Sequence, residues 1–296
     1  MPFTAVDTAI LNTNQGTLTA GTAGYTAVVG TLRFDGNAWT IGGTGTNLAG
    51  LAVSSITGGA NSAETFPAGL TITDFSATPG LTIGRTANTD TYGATLNLAG
   101  NLTVNASGHT AVLSGASNVI GGGSIHLQAG TLQARALGAL GTTPAAINVS
   151  GGTLQFRANA NTAWNNPVNV SNAATVNVDW IASGTAQHTL GALAIGTTGA
   201  LTTTSGNNNT LVFGPVALSA NATVTANATK TTLGELNGGA NALTYNGTAE
   251  LVLAAPAVSQ TGDISVTAGG KLTLKPACRA ATRATRWSTT APRPPT

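Results

Sequence analysis

Charge is what this sequence has least of. Only 7% of its 296 residues are Asp, Glu, Lys or Arg, against about 25% in ordinary soluble proteins. Aromatics are also scarce, at 4%, although hydrophobic residues make up 42%. The apolar content is therefore Ala, Val, Leu and Ile. A wide globular core uses Phe, Trp and Tyr, which bury the most area per side chain. A core only one or two side chains across has no room for many of them. The single cysteine, Cys278, excludes a disulfide framework and a Cys-based metal site and reads as an incidental thiol. No run approaches the roughly 18 to 20 apolar residues of a membrane-spanning helix. The opening Met1-Pro2-Phe3-Thr4-Ala5-Val6-Asp7 has neither the basic start nor the apolar stretch of a signal peptide.

The net charge of +2 and the pI near 9.0 come from one place. Arg279, Arg283, Arg286 and Arg293 stand in the last stretch with no acid among them. Without these four, the remaining seven basic residues face nine acids. No basic face is left to hold phosphates, so a nucleic-acid partner is not expected. Gly is abundant, at 39 residues, but disordered chains pair low hydrophobicity with high net charge. This chain shows the reverse.

What is present is strand signal. Leu96-Asn97-Leu98, Ile147-Asn148-Val149 and Val168-Asn169-Val170 set one polar residue between two apolar ones. In a strand that puts the apolar pair on one face and the Asn on the other. Gly, Asn and Ser clusters between the runs mark turns. The best helix candidate, Ala134 to Leu140, is short, contains Gly138 and lacks a polar face.

The runs recur. One series reads Leu96/Leu98, Ile125/Leu127, Ile147/Val149, Val168/Val170, Leu193/Ile195, Val216/Leu218, Leu243/Tyr245 and Ile264/Val266. A second reads Leu102/Val104, Leu132, Leu154/Phe156, Val176/Val178, Leu201, Val224, Leu251/Leu253 and Leu272/Leu274. Successive members lie roughly two dozen residues apart, a solenoid period. One unit of strand, turn, strand and return segment cannot bury its own apolar face, whereas stacked units bury a continuous column. The fold class expected is all-β: an elongated, right-handed parallel β-helix, or β-solenoid, with the hand taken from the crossover rule. Asn97, Asn148, Gln155, Asn169, Asn177, Thr244, Ser265 and Thr273 fall on the outward side, where neutral polar residues stack without charge repulsion.

Three regions are expected. Residues 1–90 form irregular solenoid coils, with Phe66-Pro67 in a loop, and residues 91–275 form the regular repeats. Residues 276–296 lose the alternation and become rich in Arg and Pro. That end is either out of frame or a native disordered basic tail, and reading the other two frames after codon 275 decides between them.

The segment Gly123-Ser124-Ile125-His126-Leu127-Gln128-Ala129-Gly130-Thr131-Leu132-Gln133 resembles the passenger-associated transport repeat of bacterial autotransporters. Ala136-Leu137-Gly138-Ala139-Leu140-Gly141 and Ile147-Asn148-Val149-Ser150-Gly151-Gly152-Thr153-Leu154-Gln155-Phe156 continue the pattern. The match is specific over some 35 residues and compositional elsewhere. The resemblance implies a β-helical passenger, exported across the outer membrane and displayed at the cell surface or released. A signal peptide and a translocator barrel are expected in the parent protein, with this chain a fragment of it.

Chemistry leaves few traces. His109, His126 and His188 have no partner at ligand-like spacing and read as surface or turn residues. No Gly-x-Ser-x-Gly elbow is present. Glycoside hydrolysis needs two carboxylates about one bond. Asp7, Asp35, Glu64, Asp74, Asp90, Asp179, Glu235, Glu250 and Asp263 form no local cluster, though two acids can still align in adjacent coils. Asp179-Trp180 is the most suggestive pair for a sugar, against the plainer reading of a loop Trp capping the core. Gly121-Gly122-Gly123 and Gly151-Gly152 lack the Asp of calcium-binding nonapeptides. Gly42-Gly43-Thr44-Gly45 lacks the Lys of a phosphate loop. The expectation is therefore no enzyme and no catalytic, cofactor-binding or metal-binding residue. The chain reads as a stalk or adhesion scaffold at the bacterial surface or outside the cell. Its partners would be a host or neighbouring-cell surface, a glycan, or itself. The alternatives are a carbohydrate-binding or carbohydrate-degrading β-helix and a self-associating surface rod.

Overall fold

The structure, a computed structural model, describes residues 7–11, 16–19, 23–36, 38–42, 45–59, 63–75, 79–227, 229–254, 260–267, 269–275 and 287–289. The expected unfolded tail and Cys278 lie outside these residues, apart from the strand Trp287–Thr289. The chain is an all-β parallel solenoid, with no helix among the described residues. It divides into two compact units, residues 1–147 and 148–296.

Within unit 1 the alternating runs pair with their equivalents one coil on, in three parallel columns. The first column sets Leu51 opposite Ile72 and Ile72 opposite Leu96. The second runs Leu32, Ile56, Ile83, Val104, Leu127. The third stacks Phe66, Tyr92, Leu113 and Ala134. All of these inward residues are fully buried. Because each strand is buried on its inner face against the other columns, burial comes from stacking rather than from any single coil.

Unit 2 repeats the plan. Val168, Leu193, Val216 and Leu236 make one inward row. Ala174, Leu201, Val224, Tyr245 and Val266 make the second. His188, Leu211, Thr231, Leu251 and Leu272 make the third. The coil length varies: Ala173 faces Ala200, whereas Ala222 faces Leu243. The excess residues sit in the turns.

Two expectations need correction. The supposed return segment is a third strand column, and the two apolar series cross between columns. Ile125/Leu127, Leu243/Tyr245 and Ile264/Val266 belong to the second column, and Leu132, Leu251/Leu253 and Leu272/Leu274 to the third. Phe66 is not in a loop but in the strand Thr65–Phe66, fully buried and stacked on Tyr92 at 4.7 Å. The Ala134–Leu140 stretch runs from the end of a strand into turns. The outward residues form rows in which Gln155 donates to Asn177 at 2.7 Å and Asn177 to Thr204 at 2.9 Å. Asn169 donates likewise to Asn148 at 2.8 Å.

Candidate functional site

Among the described residues, the largest cluster of buried ionisable groups lies inside unit 1, at the corner between its second and third columns. At this corner Gly58 lies against the Phe34 backbone one coil back. Its φ of +133° and the 2.1 Å approach of Phe34 O to any Cβ built there bar a side chain. Arg85, opposite Gly58 in the next coil, lies with its guanidinium carbon 5.1 Å from the centre of the Phe34 ring. Glu64 reaches in from just before the Thr65–Phe66 strand, Asp90 from Asn88–Tyr92 and His109 from Asn101–Leu113. All four are enclosed, at 0 to 1% exposure.

The contacts are specific. Glu64 Oε2 accepts the Trp39 backbone N–H at 2.5 Å, and Oε1 accepts from Arg85 Nη2 at 3.2 Å. Asp90 Oδ1 accepts the Glu64 N–H at 2.9 Å. Asp90 Oδ2 lies 3.1 Å from Arg85 Nε, off the line of a hydrogen bond, and 3.6 Å from His109 Nε2. His109 Nδ1 is 2.8 Å from Ala87 O. Burial raises the Asp90 carboxyl to about 6 against the pull of Arg85. Burial lowers His109 below its ordinary value and lifts Tyr92 well above its own.

Two carboxylates thus do align in adjacent coils, but they face protein groups. A saccharide cannot be placed between them in this structure, because both are closed off from solvent. The surface-or-turn reading of His109 is overturned, and that of His188 with it. His188 is fully buried in unit 2, its ring parallel to Trp164 at 6.4 Å, and its Nδ1 accepts from Trp164 Nε1 at 3.3 Å. Burial depresses it to about 4. His126 occupies its outward slot, half-buried between inward Ile125 and Leu127.

Four of the remaining acids bind protein groups through their carboxylates. Asp74 accepts the backbone N–H groups of Gly80, Ala99 and Gly100 at 2.6 to 2.8 Å. Asp179 accepts from Trp180 N at 2.8 Å and from the Asn207 amide, with Arg157 Nη2 at 3.7 Å. The Trp180 ring packs on Gly184, where a Cβ would come within 2.7 Å. The Asp179-Trp180 pair is therefore tied to its own loop through Gly184 and to the neighbouring coils through Arg157 and Asn207. Asp35 pairs with exposed Arg33 at 2.8 Å. Glu250 lies between Lys271 at 3.0 Å and Lys230 at 3.1 Å, and accepts from Thr273 at 2.5 Å. Bonds from Thr273, Lys271 and Lys230 hold its carboxyl down at about 2. Asp7 and Glu235 are half-buried and Asp263 is exposed.

Among the described residues, no group of three His, Cys, Asp or Glu is arranged to hold a metal ion. Nor is any helix among them long and apolar enough to cross a membrane. Comparison with known proteins finds no family model, no curated protein and no solved structure that matches the chain.

Proposed function

We propose that the chain is a structural scaffold: the passenger or stalk region of an autotransporter-like protein displayed at the bacterial surface. The observation that carries this reading is where the polar side chains are spent. Outward amides and hydroxyls bond to their counterparts one coil on, and the inward ionic cluster bonds coil to coil. Such a chain adds stability unit by unit and needs no closed globular core. Neighbouring neutral rows also avoid the like-charge repulsion that a charged ladder would bring. The likeness of residues 123–156 to the passenger-associated transport repeat supports the surface assignment.

The test is display. The chain is expressed between a cleavable signal sequence and a translocator barrel, with an epitope placed in the 180–186 loop. Intact cells are then probed by antibody and by added protease, and the purified chain is incubated with polysaccharides. Epitope exposed on intact cells and no release of sugar ends is the expected result. An epitope retained inside the cell, or turnover of any polysaccharide, overturns the reading.

A further inference from the structure

The enclosed cluster of unit 1 is short of one proton. Its charged members are Arg85, Glu64 and Asp90, so one cation meets two carboxylates where no water reaches. A surplus charge enclosed in this way is costly, and a titratable group normally takes or loses a proton to remove it. The histidine makes the shortage local. A carbonyl oxygen only accepts, so the 2.8 Å contact to Ala87 O requires His109 Nδ1 to carry hydrogen. In the neutral ring Nε2 is then a bare acceptor. It faces Asp90 Oδ2, another acceptor, at 3.6 Å. Two lone pairs oppose each other across a gap that one proton would bridge.

Asp90 is the carboxyl placed to take it. Both Glu64 oxygens are engaged by well-formed bonds, from the Trp39 N–H and from Arg85 Nη2. Asp90 Oδ2 has the off-line approach of Arg85 Nε and the imidazole, with the Tyr92 hydroxyl as the further neighbour of this carboxylate. The groups facing the pair can be named element by element. Arg85 comes from Gly80–Arg85, Glu64 from ahead of Thr65–Phe66, and Tyr92 from Asp90's own strand. The Trp39–Ile41 strand contributes the uncharged Trp39 N–H. Beyond His109's strand, the neighbouring coil sets the uncharged Thr131 opposite Thr110.

We propose that Asp90 and His109 form a proton-operated staple: one proton, held on Asp90 Oδ2 and directed at His109 Nε2, closes the cluster and tightens the coils it joins. The proton moves from solvent to the carboxylate and no other bond changes. The raised Asp90 carboxyl, at about 6, places closure just below neutral pH. A folded-state value above the unfolded one means the folded protein binds the proton first. This contribution therefore grows as pH falls through about 6, is complete below about 4, and is lost on raising the pH.

The chain has three histidines, so selective 15N-histidine labelling resolves each ring, and His109→Gln assigns the signal. From pH 8 to 5, His109 Nε2 should shift from a free to a hydrogen-bonded acceptor nitrogen, with a midpoint near that of Asp90 and without becoming imidazolium. Asp90→Asn should abolish the shift. Between about pH 7.5 and 5, the folding equilibrium of the wild type relative to that variant should also improve about tenfold. An imidazolium pattern at His109 in this range, or no change at all, overturns the proposal. Because the nitrogen titration is read on the wild-type protein, it decides even if Asp90→Asn fails to fold.

Discussion

A guanidinium at 1% exposure has to find its counter-charges inside the protein. Arg85 finds them in Glu64 and Asp90, in two neighbouring coils, and lays its face over Phe34. Removing one member of such a set strands the others. Arg85→Leu should therefore destabilise unit 1 by about 3–5 kcal/mol, seen as a lower urea midpoint. Replacing Glu64, Arg85, Asp90 and His109 together with apolar residues of similar volume should cost much less, because no charge is then left enclosed. His188 gives the second residue-scale test. Its folded-state value of about 4 lies below the ordinary 6.5. The unfolded chain thus takes up the proton first, and stability present above pH 6.5 is lost as pH falls toward 4. The loss approaches about 3 kcal/mol. His188→Gln keeps an acceptor for Trp164 Nε1 and should flatten that part of the stability–pH curve.

At the scale of the strand, position decides what a charge is worth. Glu250 and its two lysines bridge three successive coils on the outside of unit 2. Lys271 is 72% exposed and Lys230 49%, so water and salt screen both pairs. Glu250→Gln should change stability by no more than about 1 kcal/mol, and 0.5 M salt should erase the difference in a urea titration. The same contrast sets which parts of the fold are legible in the sequence. The Leu96-Asn97-Leu98 type of run announces an inward pair and an outward amide through its period of two, and the parallel solenoid follows from its recurrence. The third column is nearly silent in the same text. Its inward slots in unit 2 hold His188 and Thr231, and Thr203 of the second column reaches across to Thr231 at 2.6 Å. A polar residue in an apolar slot breaks the pattern that periodicity detects. The ionic cluster was illegible for a related reason. Glu64, Arg85, Asp90 and His109 stand about one coil apart or in different columns, so only the variable turn lengths between them determine that they meet. Gly58 stands opposite Arg85, but it answers to the Phe34 backbone pressed against it and leaves no trace of that meeting.

For each unit as a whole, stability should be a sum over coils and the contacts between neighbours, and this can be tested by removing a coil in register. Leu193 stands opposite Val216, so deleting residues 193 to 215 lets Val216 follow Ala192 in the place Leu193 held. The slots still match. Ala174 would meet Val224, Val176 would meet Ala226, and His188 would meet Thr231. Among the bonds lost are Thr203–Thr231, Ala186 N to Asn209, Asn177 to Thr204 and Asn207 to Asp179. This shortened chain should keep a β-type circular-dichroism spectrum and a cooperative melt at a lower midpoint. Deleting only residues 193 to 204 removes part of a coil, setting Ser205 where Leu193 stood and feeding each later residue into the wrong column. That variant should lose its cooperative transition although it removes fewer residues. If both deletions melt alike, the coils are not the units of stability. The apolar rows then hold the protein together in some way that does not depend on their register.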